Sequence, residues 1–157
     1  METVLIFLAL WKTYSRYHYS GKELILAPIG KLFPNSGVLP EHTSDYTAFE
    51  APDPLYWIKH GYAVIVADCP GTWYGDGKVT YTSPEEAELF YDLIEWAGVQ
   101  DWSSGLVGLS GVSYLALMQW YDNPQMQKVD KRRVAELHPP HLGAINPDEG
   151  TVFIGLC

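Results

Sequence analysis

Apolar runs alternate with segments of helical periodicity along this chain. Residues 62–67 (YAVIVA) form a continuous run rich in β-branched residues, which is typical of a parallel-sheet strand covered on both faces. Residues 23–27, 106–109 and 142–145 are shorter apolar runs that predict further strands. Because helical segments separate these runs, the pattern predicts an α/β fold with a central parallel sheet and helices on both of its faces.

The longest predicted helix covers residues 84–97. Ser83 precedes it as an N-cap, and Glu86, three residues later, can complete a capping box. Apolar residues recur at spacings of three and four and give one buried face, and Gly98 ends the helix. We expect the acidic side chains of the first turn, including that of Glu86, to be solvated, because the helix dipole favours them there. A shorter helix is predicted at residues 55–60.

The N-terminal apolar run, residues 4–11 (VLIFLALW), has more than one interpretation. It is too short to cross a bilayer, and Glu2 stands where a signal peptide would carry basic residues. We therefore expect a buried strand or the start of a helix rather than a signal peptide. Residues 1–157 are read as a single, incomplete domain in which residues 1–22 are left unassigned. The compartment is left open, with the cytoplasm favoured.

Composition excludes several classes of protein. Hydrophobic residues make up 47% of the chain and charged residues 18%, which indicates a folded globular domain rather than a disordered chain. Nineteen Asp and Glu against ten Lys and Arg give a formal net charge of -9. This charge disfavours binding to nucleic acid or to an anionic membrane. The cysteines form no metal or redox motif and the histidines lack metal-ligand spacing, so no metal or organic cofactor is expected.

Candidate chemistry lies in residues 108–120, which read GLSGVSYLALMQW. A nucleophile elbow places a serine at a sharp turn from a strand into a helix, between small residues. Ser113 fits this arrangement better than Ser110, because Gly111 precedes it by two residues and a helix is predicted to begin directly after it. Leu115 replaces the second glycine of the GxSxG pattern, so an ordinary helix N-cap at Ser113 is the alternative.

Several segments together resemble a known family. They are FEAPDP (49–54), GYAVIVAD (61–68), YDLIEWAG (91–98), DWSSGLVGLSGVSYLALMQW (101–120) and PPHLGAINPDEG (139–150). The chain is thereby similar to the cocaine-esterase-like and Xaa-Pro dipeptidyl-peptidase-like serine hydrolases, which have the α/β-hydrolase fold. The resemblance implies that Ser113 is the nucleophile of a strand–Ser113–helix elbow and that the Tyr114 N–H is an oxyanion donor. It implies acyl esters, α-amino acid esters or Xaa-Pro peptides as substrates and no cofactor.

The chain departs from the family pattern at several positions. Ile29 stands where the family places a tyrosine whose hydroxyl is the second oxyanion donor, and isoleucine has no hydrogen to donate. The Asp-x-Arg-Gly loop of the family reads DCPG here, at residues 68–71, without the arginine. A polar stretch that begins at Tyr121 looks like an insertion after the nucleophile helix.

The acid and base of a catalytic triad would follow Ser113 in the chain. His138 and His141 do follow it, but both directly precede the strand predicted at residues 142–145. We therefore expect them at the amino edge of the sheet, away from the elbow. By resemblance, the acid and base of the family lie beyond the segments matched here.

The resemblance and the departures together predict a partial α/β-hydrolase fold and leave three functional hypotheses. The first is a serine hydrolase of ester or amide bonds that acts on a small-molecule ester or peptide. The second is a catalytically inactive fragment or relic of such a hydrolase. The third is an unrelated binding module in which Ser113 is only a helix cap. Because a partial sheet exposes a strand edge, self-association is a further expectation.

Overall fold

Four parallel strands form one sheet in the part of this protein that the structure describes. The structure, a computed structural model, describes residues 2–9, 44, 53–72, 76–80, 83–112, 114–120 and 134–148. The strands are β1 (Glu2–Ala9), β2 (Tyr62–Asp68), β3 (Ser103–Val112) and β4 (Leu142–Asp148). Their order across the sheet is β2-β1-β3-β4, and every neighbouring pair is parallel. The predicted α/β class, with a parallel sheet and flanking helices, is confirmed.

The N-terminal apolar run forms a strand in the middle of this sheet. β1 pairs with β2 from Thr3 to Ala9, and it pairs with β3 along its other edge. Of the interpretations that the apolar pattern allowed, the strand rather than the start of a helix is therefore the one observed. The strand predicted at residues 23–27 lies outside the described residues.

Local hydrogen bonds explain where the helices begin. The helices are α1 (Pro54–Ile58), α2 (Pro84–Gly98) and α3 (Tyr114–Trp120), and a 3-10 turn covers Val134–Leu137. Asp53 caps α1 with a carboxylate oxygen that accepts from the Leu55 N–H at 2.8 Å. Ser83 caps α2 as predicted, because its hydroxyl accepts from the Glu86 N–H at 3.1 Å.

The hydrophobic core lies between β3 and the two longer helices. It consists of Cys69, Phe90, Ile94, Ala97, Val107, Leu109, Leu115, Met118 and Val134. Val107 and Leu109 alternate along β3 with Leu106, which is 57% exposed. α2 and α3 therefore both cover the Val107 face of this strand, whereas Leu106 on the opposite face is exposed.

Coverage of the sheet is thus less complete than the apolar pattern predicts. β2 was expected to be covered on both faces, but its residues are at most half-buried and Val66 is 42% exposed. The physical reason is position, because β2 is an outer strand among the four described and β1 occupies only one of its edges. Among the described residues of β3, Leu106 is likewise exposed.

Candidate active site

The carboxyl end of β3 passes into α3 with one residue between the two elements. β3 ends at Val112 and α3 begins at Tyr114, so Ser113 stands at this junction in the sequence. A side chain at Gly111 would overlap the Cβ atom of Leu115, which is itself buried in the core. The close approach of strand and helix that a nucleophile elbow needs is therefore achieved by Gly111, with Leu115 in the place of the second glycine.

The structure describes one of the three predicted site residues. Tyr114 is the first residue of α3 and is partly buried, while Ser113 and Ile29 lie outside the described residues. Ser110, the alternative serine, lies within β3 as expected. Its hydroxyl accepts from the Asn146 Nδ2 at 3.3 Å across the neighbouring strand.

A buried glutamine fixes α3 against the adjacent strand. Gln119 is 1% exposed, and its Oε1 accepts from the Asn146 N–H at 3.1 Å. Its Nε2 donates to the Leu115 carbonyl at 3.0 Å. Asn146 pairs with Ser110 in the sheet register. The Gln119 side chain therefore joins α3 to the carboxyl half of β4. The bond between Gln119 and Asn146 sets in part the orientation of α3 over the junction.

Glu86 was not predicted as a site residue, yet it lies against Tyr114. The Tyr114 hydroxyl donates to the Glu86 Oε2 at 2.7 Å, and Glu86 is only 5% exposed. The expectation of a solvated carboxylate is therefore wrong at this position. A signal was present in the sequence, because Glu86 precedes Phe90 by four residues and Ile94 by eight and so lies on the buried face of α2.

The other acidic residues of this helix start behave as expected. Glu88 is exposed, and so is Glu85. The pKa of Glu85 is lowered, first because its own backbone N–H donates to the carboxylate and second because the Ser83 hydroxyl does so. Of the three glutamates in this turn, Glu86 alone is buried.

Cys69 also contacts the Glu86 carboxylate. It directly follows β2 and is 3% exposed. Burial raises the pKa of the Cys69 thiol to about 12, and the negative charges of Glu86 and Asp68 and a hydrogen bond to Glu86 add to the effect. The sulfur is therefore a neutral thiol that donates to the carboxylate. Cys69, directly after β2, and Tyr114, at the start of α3, thus both contact Glu86 in the first turn of α2.

His141, one of the two described histidines that follow Ser113, lies at the far end of the sheet. The His141 carbonyl accepts from the Val107 N–H at 2.9 Å. Val107 precedes Val112 by five residues, which is roughly 17 Å along β3. The His141 Nδ1 lies 2.8 Å from the Glu95 Oε2. Asp148, by contrast, pairs with Val112 at the carboxyl edge. This geometry separates His141 from the junction.

Two further findings concern the described residues alone. Among them, no three His, Cys, Asp or Glu side chains come together as a metal ion would require. None of the helices in the same ranges combines the length and the apolar character needed to cross a membrane.

The parallel sheet and the serine between β3 and α3 define a protein of the α/β-hydrolase type. The sequence profile of the X-Pro dipeptidyl-peptidase (S15 family) matches residues 9–152. The chain therefore belongs to the S15 family, and the resemblance seen in its sequence motifs is confirmed.

Individual relatives agree with this assignment. The chain is 36% identical over 66 residues to a cocaine esterase of Rhodococcus sp. (strain MB1 Bresler), a match that covers 42% of this chain and 11% of the relative. It is 35% identical over 78 residues to an Xaa-Pro dipeptidyl-peptidase of Lacticaseibacillus casei, covering 40% of this chain and 10% of the relative. The chain therefore spans about a tenth of the length of these curated relatives.

A solved structure extends the comparison over almost the whole chain. A crystal structure of a CocE/NonD family hydrolase from Staphylococcus aureus is similar with a TM-score of 0.67 and 36% sequence identity. The similarity covers 93% of this chain and 22% of that chain. The fold described above is therefore similar to one part of a larger hydrolase.

Proposed function

We propose that this chain carries the nucleophile of a serine hydrolase that cleaves ester or amide bonds. The junction between β3 and α3 supports the proposal most directly. A strand ends at Val112, a helix begins at Tyr114, and Gly111 lets the two elements approach where Ser113 stands in the sequence. A strand, a serine and a helix in this order are the structural context that the nucleophile motif requires.

In the proposed reaction, the Ser113 hydroxyl oxygen attacks the acyl carbonyl carbon while a general base takes its proton. The carbonyl oxygen becomes an oxyanion, to which the Tyr114 N–H donates. The tetrahedral intermediate then expels the alcohol or amine, which receives that proton, and leaves an acyl ester on Ser113. Attack of a water molecule releases the carboxylic acid and restores the serine.

We place the general base and its orienting acid outside the described residues. His141 lies at the opposite edge of the sheet, bound to Glu95. His60 lies at the end of α1, where its Nδ1 is 2.7 Å from the Tyr56 carbonyl oxygen. Neither arrangement places an imidazole at the junction between β3 and α3. Asp148, the last residue of the neighbouring strand β4, pairs with Val112 beside that junction.

The proposed turnover is slow. Ile29 replaces the hydroxyl that serves as the second oxyanion donor in the family pattern, and the loss of one such donor costs about 100- to 1000-fold in rate. The substrates that we propose are acyl esters, α-amino acid esters or Xaa-Pro peptides, because the named relatives are a cocaine esterase and Xaa-Pro dipeptidyl-peptidases.

Hydrolysis of p-nitrophenyl acetate by the purified chain tests this proposal. Ser113→Ala is expected to reduce the enzyme-dependent rate to the background, while Ser110→Ala, a serine on the same strand, keeps it. Circular dichroism confirms that all three proteins are folded. Equal rates in the wild type and Ser113→Ala would contradict the assignment, and no activity in any folded protein would favour the inactive relic.

A further inference from the structure

The contact between Glu86 and Tyr114 joins two parts of the molecule that are distant in sequence. The two residues are 28 positions apart, one in the first turn of α2 and the other at the first position of α3. A hydrogen bond from a phenol to a carboxylate is charge-assisted, and such bonds are roughly twice as strong as neutral ones. At 2.7 Å the bond has the length expected of this class.

Glu86 is itself held in place from several sides. Its N–H donates to the Ser83 hydroxyl at 3.1 Å, and the Ser83 Oγ lies 2.9 Å from the Thr80 Oγ1. Its helix is packed into the core through Phe90 and Ile94. Since the residue is 5% exposed, water has little access to the carboxylate. The Glu86 carboxylate, which accepts from the Tyr114 hydroxyl, is therefore held in one position.

Tyr114 is the residue whose position matters most for the proposed chemistry. It directly follows Ser113, and its N–H is the proposed oxyanion donor. The first N–H groups of a helix have no acceptor within the helix, so hydrogen bonding inside α3 does not fix this group. An anchor on the side chain of the same residue limits how far the backbone can move.

We infer that Glu86 is a positioning residue for the hydrolase reaction, which holds the Tyr114 N–H in place by binding the Tyr114 hydroxyl. The inference rests on the function proposed for Ser113. Glu86 acts through the tyrosine, since the bond that we invoke joins it to the phenol. The Glu86 carboxylate accepts from the Cys69 thiol as well as from the Tyr114 hydroxyl.

The sequence offers a direct probe of this N–H group. The dipeptide Ser-Tyr occurs once in the chain, at residues 113–114. Labelling serine with ¹³C at the carbonyl and tyrosine with ¹⁵N therefore gives a single carbonyl-to-amide NMR signal, which belongs to Tyr114. The order parameter of this amide reports its motion without requiring any catalytic activity.

Four variants separate the positioning role from other effects. Glu86→Gln keeps an oxygen acceptor, Glu86→Ala removes it, and Tyr114→Phe removes the donor. Glu88→Gln removes an exposed charge from the same helix turn and serves as the matched control. Thermal unfolding followed by circular dichroism shows which variants are folded, and the isosteric Tyr114→Phe still tests the bond if Glu86→Ala is not.

The expected order parameter of the Tyr114 amide is about 0.85 in the wild type, Glu88→Gln and Glu86→Gln, and it falls toward about 0.6 in Glu86→Ala and Tyr114→Phe. The rate of Ser113 labelling by a fluorophosphonate probe is expected to fall about tenfold in the same two variants, because the phosphoryl oxygen uses the same donor.

The outcomes distinguish this inference from the proposed function. An unchanged order parameter, or an unchanged labelling rate in variants with a mobile Tyr114 amide, would overturn the positioning role and leave Ser113 as the nucleophile. Absence of labelling in the folded wild type would instead overturn the proposed function and the role of Glu86 with it.

Discussion

At the scale of single residues, the candidate site depends on hydrogen bonds of short and of long range along the chain. The cap of α2 was predicted, because the bond between Ser83 and Glu86 spans three residues. The hydroxyl that Glu86 accepts from belongs to Tyr114, 28 residues away, and no local pattern reports it. The bond between Gln119 and Asn146 is of the same kind. Long-range polar contacts of this kind set the details of the candidate site.

Replacing Gln119 with alanine should destabilise the protein. The change removes the acceptor of the Asn146 N–H and leaves a cavity in a site that is 1% exposed. We expect the free energy of unfolding to fall by about 1–3 kcal/mol, as measured by urea denaturation. Gln119→Glu, which keeps the oxygen but loses the donor to the Leu115 carbonyl, should also be destabilised. A fully stable Gln119→Ala would show that these bonds contribute nothing.

The titration of Cys69 should make the protein less stable in alkaline solution. The pKa of this thiol is about 12 in the folded protein against an ordinary value of 9.0. Above pH 9 the unfolded chain loses the proton while the native protein keeps it, so the free energy of unfolding falls as pH rises, by up to about 1.4 kcal/mol per pH unit. Below pH 9 this contribution is fully present.

Urea denaturation of the wild type and Cys69→Ala between about pH 8 and pH 11 checks the sign. The variant lacks the titrating group, so its stability should decline less steeply over this range. Parallel declines in the two proteins would mean that the thiol titrates near its ordinary pKa in the native state.

At the scale of elements, periodicity located the described strands and helices but not their full extent or order. β3 runs from Ser103 to Val112, whereas the apolar run covered only residues 106–109. The extra residues are mostly serine and glycine, which pair through the backbone and leave no apolar signal. The placement of β1 between β2 and β3 depends on contacts across the whole chain. Periodicity within one segment contains no information on that placement.

Gly98→Ala tests how α2 packs against the beginning of β4. A methyl group at Gly98 would overlap the imidazole of His141, which Glu95 holds in place. We expect a loss of about 1–3 kcal/mol in the free energy of unfolding. In a His141→Ala background the same change should cost little, because the overlapping ring is gone. Equal costs in both backgrounds, measured by urea denaturation, would contradict the contact.

At the scale of the whole molecule, the chain resembles one part of a larger hydrolase. It covers 22% of the solved hydrolase, and β2 and β4 are the outer strands among those described. Large apolar side chains are exposed, among them Trp96, Val99 and Leu106. The segments between residues 49 and 150 that resemble the family were together enough to find it, because each is a local motif. The outer edges of β2 and β4 have no partner strand among the described residues. From the sequence, an exposed strand edge was expected only because the fold was predicted to be partial.

We propose that the isolated chain associates with itself through its sheet edge. Sedimentation equilibrium over about 1–100 µM should show an average mass that rises with concentration. Val66→Lys, which places a charge on the outer strand β2 at an exposed side chain, should shift this association to higher concentration. A monomer at every concentration, or the same association in the variant, would contradict the role of this edge.

Covalent labelling shows whether Ser113 is an activated nucleophile. The purified chain and the Ser113→Ala variant are incubated with a fluorophosphonate probe, and the adduct is detected by intact mass and located by peptide mapping. We expect one adduct, on Ser113, that is absent from the folded variant. An adduct on another residue, or no adduct on the folded wild-type chain, would contradict this expectation.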